Sequence, residues 1–312
     1  MITRLLSALG AVGVARVLLM PDVDGIAHRV RRAVDLRPPP GQTWPEVAFL
    51  DMPIECVPDD TVNATGRMVA AGVGVIVVLG GDGTNRLVAS ASGSTPILPL
   101  STGTNNVFPQ VREATIAGLA AGLVATGQVP PGETQVRSKV LQVEVNGAYR
   151  GPALVDAAIA SDRWIGSRAV WRPESLQQLF VTFAEADAIG LSSIAGLLRP
   201  VSRQAAHGLR VDLLPPETAM TTLMAPIAPG LIAPVGISHV EEIHPGKAQK
   251  VNISRGVIAL DGEREIEFGP TDRVVIRLST DGPVTIDIDW VMAQAARGGL
   301  LTSRRSPDSC QE

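Results

Sequence analysis

Along the first 130 residues, hydrophobic positions come in short unbroken runs separated by stretches with helical spacing. "VARVLLMP", "GVIVVL" and "TPILPL" are the runs. A strand half exposed to water would alternate apolar and polar residues. These do not, so they predict strands covered on both faces, as in a parallel sheet. Between them, "GIAHRVRRAV" and "DTVNATGRMVAAG" have helical spacing, the second opened by Asp60 or Thr61 as a capping residue. A short helix is expected after Thr84 and another from Glu113 to Ala125. "RPPPGQTWPEV" is a loop. The opening "MITRLLSALGAVGVARVLLM" reads as a helix feeding a strand, because Arg16 interrupts the apolar run and no small-residue cleavage site follows.

After "QVPPGET", a linker from Gln128 to Thr134, the pattern changes. "SKVLQVEVNGAYRGPALVDAAIAS" predicts two strands joined at Asn146-Gly147. "PESLQQLFVTFAEADAIGLSSIAGLL" reads as helical. From Leu209 onward, turn signals at Pro215-Pro216, Asp261-Gly262 and Asp281-Gly282 separate short antiparallel strands. "TTLMAPIAPGLIAPVGI" is uncharged, but Pro226, Pro229 and Pro234 would break a spanning helix, which leaves loop and short strand. "DWVMAQAARGGLL" is a terminal helix. The expected fold is α/β: a parallel-sheet domain over 1–133 and an antiparallel β-rich domain over 134–312, with the tail free to return to the first.

Composition narrows the function. Apolar residues make up 45% of the 312, enough for a sizeable core. A net charge of -4 with 3% aromatic residues offers neither the basic surface nor the stacking platforms of a nucleic-acid binder. Cys56 and Cys310 form no CxxC pair, which suits a reducing cytoplasm and supplies no zinc site. "EEIHPG" has no metal-ligand spacing, so no metal site is expected among the histidines.

The candidate chemistry lies in "VIVVLGGDGTNRLVAS". A strand ending in Gly80 and Gly81 and feeding a helix exposes backbone N–H groups at the positive end of the helix dipole, an anion site. It lacks the lysine of a Walker loop and the third glycine of a dinucleotide fingerprint. Asp82 is out of place beside phosphates unless its charge is used, either to take a proton from an attacking hydroxyl or to orient a magnesium-bound phosphate. A plain Gly-Asp-Gly turn is the alternative. The next predicted strand ends in Ser101, Thr102, Gly103, Thr104, Asn105 and Asn106, a run of hydroxyl and amide donors around a close-approach glycine. Two such loops at the carboxyl ends of neighbouring parallel strands face one crevice, where open α/β sheets bind ligands.

At these residues the chain resembles a known family. Gly80-Gly81-Asp82-Gly83-Thr84 matches the GGDGT signature of NAD kinases, diacylglycerol kinases and sphingosine kinases. "STGTNN" before "VFP", "EATIAGLAAGLVATGQ" and "DRWIGSRAVW" are similar to the acetoin-catabolism protein X branch of the ATP-NAD kinase-like group. The resemblance implies a site in a cleft between the two domains and ATP-dependent, magnesium-assisted phosphorylation of a hydroxyl. It places Asp82 as general base, Gly81, Gly83 and Thr84 at the phosphates, and Gly103, Thr104 and Asn105 in the nucleotide pocket. Gly80, Asn85, Ser101, Thr102 and Asn106 are counted with that binding set.

The chain also departs from the family. The Asn-Glu pair of NAD kinases corresponds to Val155 and Asp156, keeping a carboxylate and losing the amide. The strand ending in an Asn-Pro turn that usually opens these chains is missing, and "MPD" at Met20 to Asp22 is a poor substitute. Either the natural start lies upstream or part of the ATP site is lost. Lipid-kinase relatives carry DGE near the cleft. Here Asp261 and Glu263 bracket such a triplet, which also reads as a plain hairpin turn.

The function expected is a cytoplasmic, homo-oligomeric kinase of NAD or a related acceptor, serving NADP biosynthesis. It would use ATP and Mg2+, and bind small-molecule nucleotides but neither nucleic acid nor membrane. The alternatives are a lipid or small-metabolite kinase on the same fold and a non-catalytic nucleotide-binding regulator linked to acetoin catabolism.

Overall fold

The computed structural model describes residues 1–35, 40–130, 132, 135–161 and 173–302. "DRWIGSRAVW", Cys310 and part of the Gln128–Thr134 linker lie outside them. The first half alternates helix and strand: α1 (Ile2–Ala11), β1 (Arg16–Leu19), α2 (Ile26–Asp35), β2 (Glu46–Phe49), α3 (Pro58–Ala70), β3 (Ile76–Leu79), α4 (Asp82–Ala91), β4 (Ile97–Leu100) and α5 (Ala114–Ala125). Then come β5 (Gln135–Arg137), β6 (Val140–Val145), β7 (Ala148–Ala153), β8 (Asp156–Ala160), β9 (Leu176–Val181), α6 (Ser192–Leu198), β10 (Gly208–Leu214), β11 (Thr221–Ala228) and β12 (Leu231–Ile243). The chain ends through β13 (Ala248–Lys250), β14 (Gly256–Leu260), β15 (Glu263–Phe268), β16 (Val274–Ser279), β17 (Val284–Ile286) and α7 (Ile288–Arg297).

β1 and β2 form one parallel pair. β3, β4 and β17 run parallel in a second sheet, with β5 antiparallel at its edge, so the last strand and α7 belong to the N-terminal layer. β3 is covered on both faces. Val75, Val77 and Leu79 meet the cluster of α1, α5 and α7, while Ile76 and Val78 meet Met68 and Val88 of α3 and α4. This explains the unbroken apolar run. The β-rich half is a sandwich. A seven-stranded antiparallel sheet, β11-β12-β10-β9-β8-β14-β15, packs on β13-β16-β6-β7 through Leu141, Val143, Ile159, Phe180, Ile258 and Ile276. Its other face is covered by Ile194 and Ala195 of α6. No helix among the described residues is long and apolar enough to cross a membrane.

The structure corrects several expectations. Residues 176–181, expected as helix, are the central strand β9, and in that stretch only a 3-10 turn at Pro173–Ser175 and α6 are helical. Mostly buried on both faces and carrying Gln177 and Gln178 side by side, β9 has no alternation to betray it. The proline-rich run, expected as loop and short strand, is strand over nearly all its length, in the long hairpin β11–β12. Pro226 sits on the edge strand, and Pro234 lies beyond the end of β10, where no partner needs its N–H. "GPALVDAAIAS" holds parts of two strands, β7 and β8, broken at Leu154-Val155. Asp281-Gly282 is no hairpin turn, because β16 and β17 lie in different sheets. α3 begins at Pro58, with Asp60 third in its first turn, accepting from the N–H groups of Glu55 and Val57. α4 begins at Asp82 itself.

Candidate functional site

Because β3 and β4 are adjacent and parallel, the loops after them emerge side by side. Gly81 caps α4, so Asp82 is the helix's first residue. Its carboxylate reaches across to the second loop and accepts from the N–H of Val107 at 3.1 Å and of Phe108 at 2.8 Å. Burial pushes the Asp82 pKa up, while these two N–H groups and the Arg203 charge oppose the rise. Asn106 completes the link. Its Oδ1 lies 2.6 Å from where a Gly81 Cβ would stand, and its Nδ2 donates to Ser101 Oγ at 2.7 Å. Ser101 Oγ in turn donates to Gly103 O. A Cβ at position 81 would push the Asn106 amide out of this arrangement.

The β-rich half brings carboxylates to the same place. Asp156 opens β8, and Asp261 sits at the β14–β15 turn in the left-handed region, φ 49°. The Asp261 carboxylate accepts from the N–H groups of Leu154, Val155 and Asp156, at 3.0, 2.7 and 3.2 Å. Arg86, one turn along α4 from Asp82, places Nε 3.6 Å from Asp261 and Nη2 3.9 Å from Glu263. Burial pushes Asp261 up to about 7, against the N–H groups of Leu154 and Val155. The Asp82 charge adds to the rise and Arg86 opposes it. Asp156 Oδ1 is buried without a hydrogen-bond partner. Burial first, then the charges of Asp261 and Asp82, drive the Asp156 pKa well up against the Gly262 N–H. All three causes favour the protonated carboxyl over the carboxylate. Glu263 Oε1 lies 3.1 Å from the Cβ position of Gly83, so a carboxylate already faces the α4 amino terminus.

The structure thus gathers Gly80, Gly81, Asp82, Gly83, Thr84, Asp156, Asp261 and Glu263 at the junction of the two halves. Thr102, Gly103, Thr104 and Asn105 are exposed beside them. Three of the binding candidates are turned inward. Asn85 is fully buried and donates to Gly81 O, while Ser101 and Asn106 brace the loop from within. Sequence reasoning missed Arg86 and Arg203. Arg86 had a signal, since it stands four residues after Asp82 on one helix. Arg203 had none. It comes from the segment between α6 and β10, stacks on Phe183 at 4.2 Å and makes a two-pronged pair with Glu185. It also donates to Phe108 O at 2.8 Å and Val107 O at 2.6 Å. It therefore grips the two residues whose N–H groups hold Asp82.

Comparison with known proteins followed these halves. Residues 1–129 match the ATP-NAD kinase N-terminal domain, and residues 139–281 match the acetoin catabolism protein X C-terminal domain. The chain is similar to acetoin catabolism protein X of Cupriavidus necator, 44% identical over 310 residues, covering 98% of this chain and 86% of that protein. It is also similar to the crystal structure of an NAD kinase from Archaeoglobus fulgidus in complex with ATP. That match has 14% identity and a TM-score of 0.42, covering 92% of this chain and 100% of the other.

Proposed function

The chain belongs to the acetoin catabolism protein X family of NAD kinase-like proteins, and from that premise we propose that it is a cytoplasmic kinase transferring phosphate from ATP to a hydroxyl. The observation that carries this reading is the Asp82 bridge. It joins two donor-rich loops at the carboxyl ends of adjacent parallel strands and lies against a second half that supplies Asp156 and Asp261. The α4 amino terminus and the Gly83 and Thr84 N–H groups would take phosphate oxygens. Magnesium would enter with the triphosphate and neutralise its charge. Among the described residues, no group of three ligating side chains forms a site of its own. Asp82, its pKa raised, would accept the acceptor's proton. The acceptor oxygen then bonds to the γ-phosphorus as the bond to ADP breaks.

NAD remains one acceptor, but Val155, 1% exposed and packed in an apolar cluster, offers no side-chain amide where NAD kinases carry one, which favours an acceptor other than NAD. A second reading, a nucleotide-binding regulator without turnover, is favoured by Glu263 over Gly83 and by the N–H groups that already occupy Asp82. The deciding experiment follows ADP release from ATP and magnesium with NAD, diacylglycerol and small diols in turn, beside calorimetric ATP binding. Turnover with any acceptor supports the kinase. Binding with no turnover across the panel supports the regulator.

A further inference from the structure

A cavity of about 160 Å³ lies where β4, β5 and β17 meet the β-rich half. Leu98, Val136, Phe183 and Ile286 give it apolar walls, and Arg112, Lys139 and Arg203 bring cations to it. Neither the Gly80–Thr84 loop nor Asp156 nor Asp261 lines it. The peptide between Val107 and Phe108 relates the two places. Its N–H, that of Phe108, donates to Asp82, and its C=O, that of Val107, accepts from Arg203. A trans peptide points these groups in opposite directions, so Asp82 and Arg203 stand on opposite sides of it.

The cations are not equally matched. Arg112 is paired with Asp289 at 3.1 and 2.6 Å, and Arg203 with Glu185 at 3.0 Å through both prongs. Asp287, the other acid of the lining, accepts from the Trp290 N–H as the cap of α7. Lys139 is 6% exposed, and its Nζ donates to the carbonyls of His207 at 2.7 Å and Ser202 at 3.4 Å. An ammonium has three N–H donors, so one is left over. Among the described residues no carboxylate pairs with it, and burial alone acts on its pKa, pushing it down to about 8. A buried charge is costly without a counter-ion. This one borders a space that an anion can enter.

Size and lining select that anion. At ~30 Å³ for each water, the space equals about five waters, well short of the ~300 Å³ of a pocket for a drug-sized ligand. Neither ATP nor NAD fits. Inorganic phosphate fits by size, but its several oxygens would lose water against apolar walls with one free ammonium donor to meet them. A carboxylate on a short hydrocarbon tail suits both the ammonium and the walls. We propose that this cavity is a second ligand site, taking a short-chain carboxylate of about three to five carbons with its charged end on Lys139 and its tail against Leu98, Val136 and Ile286. Because Arg203 lines the cavity and grips Val107 and Phe108, the bound molecule lies one peptide away from Asp82.

The test titrates the full chain with butanoate and follows the backbone amides by NMR. The amides of Ser138, Phe183 and Ile286 should shift with one saturable midpoint, while those of Gly83 and Thr84 stay in place. Butan-1-ol has the tail without the charge and should bind at least ~10-fold more weakly. Inorganic phosphate at the same concentration should not displace butanoate. Lys139→Met keeps the length of the side chain and loses the ammonium, so calorimetric affinity for butanoate should fall at least ~10-fold. Should that variant fail to fold, the comparison of butanoate with butan-1-ol on the wild-type chain decides. The proposal is overturned by the absence of a saturable shift at the three amides or by shifts centred on Gly83 and Thr84. It is equally overturned by butan-1-ol binding as well as butanoate, by displacement with phosphate, or by unchanged affinity in a folded Lys139→Met. None of these readouts needs ATP or turnover, so they stand apart from the kinase reading.

Discussion

Asp82 shows how a single side chain can hold two positions at once. It is the anion at the start of α4, where the dipole favours it, and it is the acceptor that ties the second loop to the first. Asp82→Asn keeps the shape and loses the charge and the base. Turnover should fall by about 10² to 10⁴-fold while ATP affinity stays within roughly tenfold, read by ADP release beside calorimetry. Full turnover in the variant would remove Asp82 from the mechanism. Arg203 acts on Asp82 through the Val107–Phe108 backbone and is a positioning residue. Lysine keeps the charge but cannot reach two carbonyls and two carboxylate oxygens from one plane. Arg203→Lys should therefore cost ~1–3 kcal/mol of stability and lower kcat more than it raises KM. An unaltered kcat with lowered stability would make Arg203 purely structural.

Packing between helices sets opposite rules for similar residues. Gly118 of α5 faces α1 so closely that a Cβ there would stand 2.7 Å from Ala8 Cβ. Gly66 of α3 has nothing within 4 Å of the same position. Alanine is the better helix former by about 1 kcal/mol, but overpacking costs about 1–3 kcal/mol. Gly66→Ala should raise the denaturation midpoint and Gly118→Ala should lower it. Two changes of the same sign would show that α1 and α5 are not in close contact. The elements that sequence patterning misassigned share a physical cause. β9 is buried on both faces and looks like a helix segment, and β11–β12 keep prolines only where no ladder bond needs them.

At the junction of the two halves, Asp82, Asp156 and Asp261 all have pKa values raised by burial, Asp261 to about 7. The folded chain therefore binds more protons than the unfolded one between the ordinary value of 3.8 and neutrality. Stability then falls as pH rises through that window. Glu113 works in the opposite direction, held down to about 2 first by Arg4, but it titrates only on the acid side. The thermal midpoint should drop by ~2–5 °C from pH 5 to pH 8, and Asp156→Asn should flatten the drop. A flat wild-type profile would mean that the cluster stays ionised throughout.

Local chemistry alone determined much of this protein. Unbroken apolar runs marked buried parallel strands, Asn146-Gly147 marked a hairpin, and Gly80–Thr84 marked a passage from strand to helix, because each depends on neighbours in the chain. The family resemblance rested on Gly80–Thr84 and on other short stretches, such as "STGTNN" and "EATIAGLAAGLVATGQ". Tertiary structure decided the rest. It turned Asn85, Ser101 and Asn106 inward, since a side chain's direction depends on what packs over it. It brought Arg203, paired with Glu185, to a loop 95 residues earlier in the chain, a meeting with no local signature. It also gave Asp156 and Asp261 their shifted pKa values, because desolvation belongs to the assembled junction and to no residue by itself.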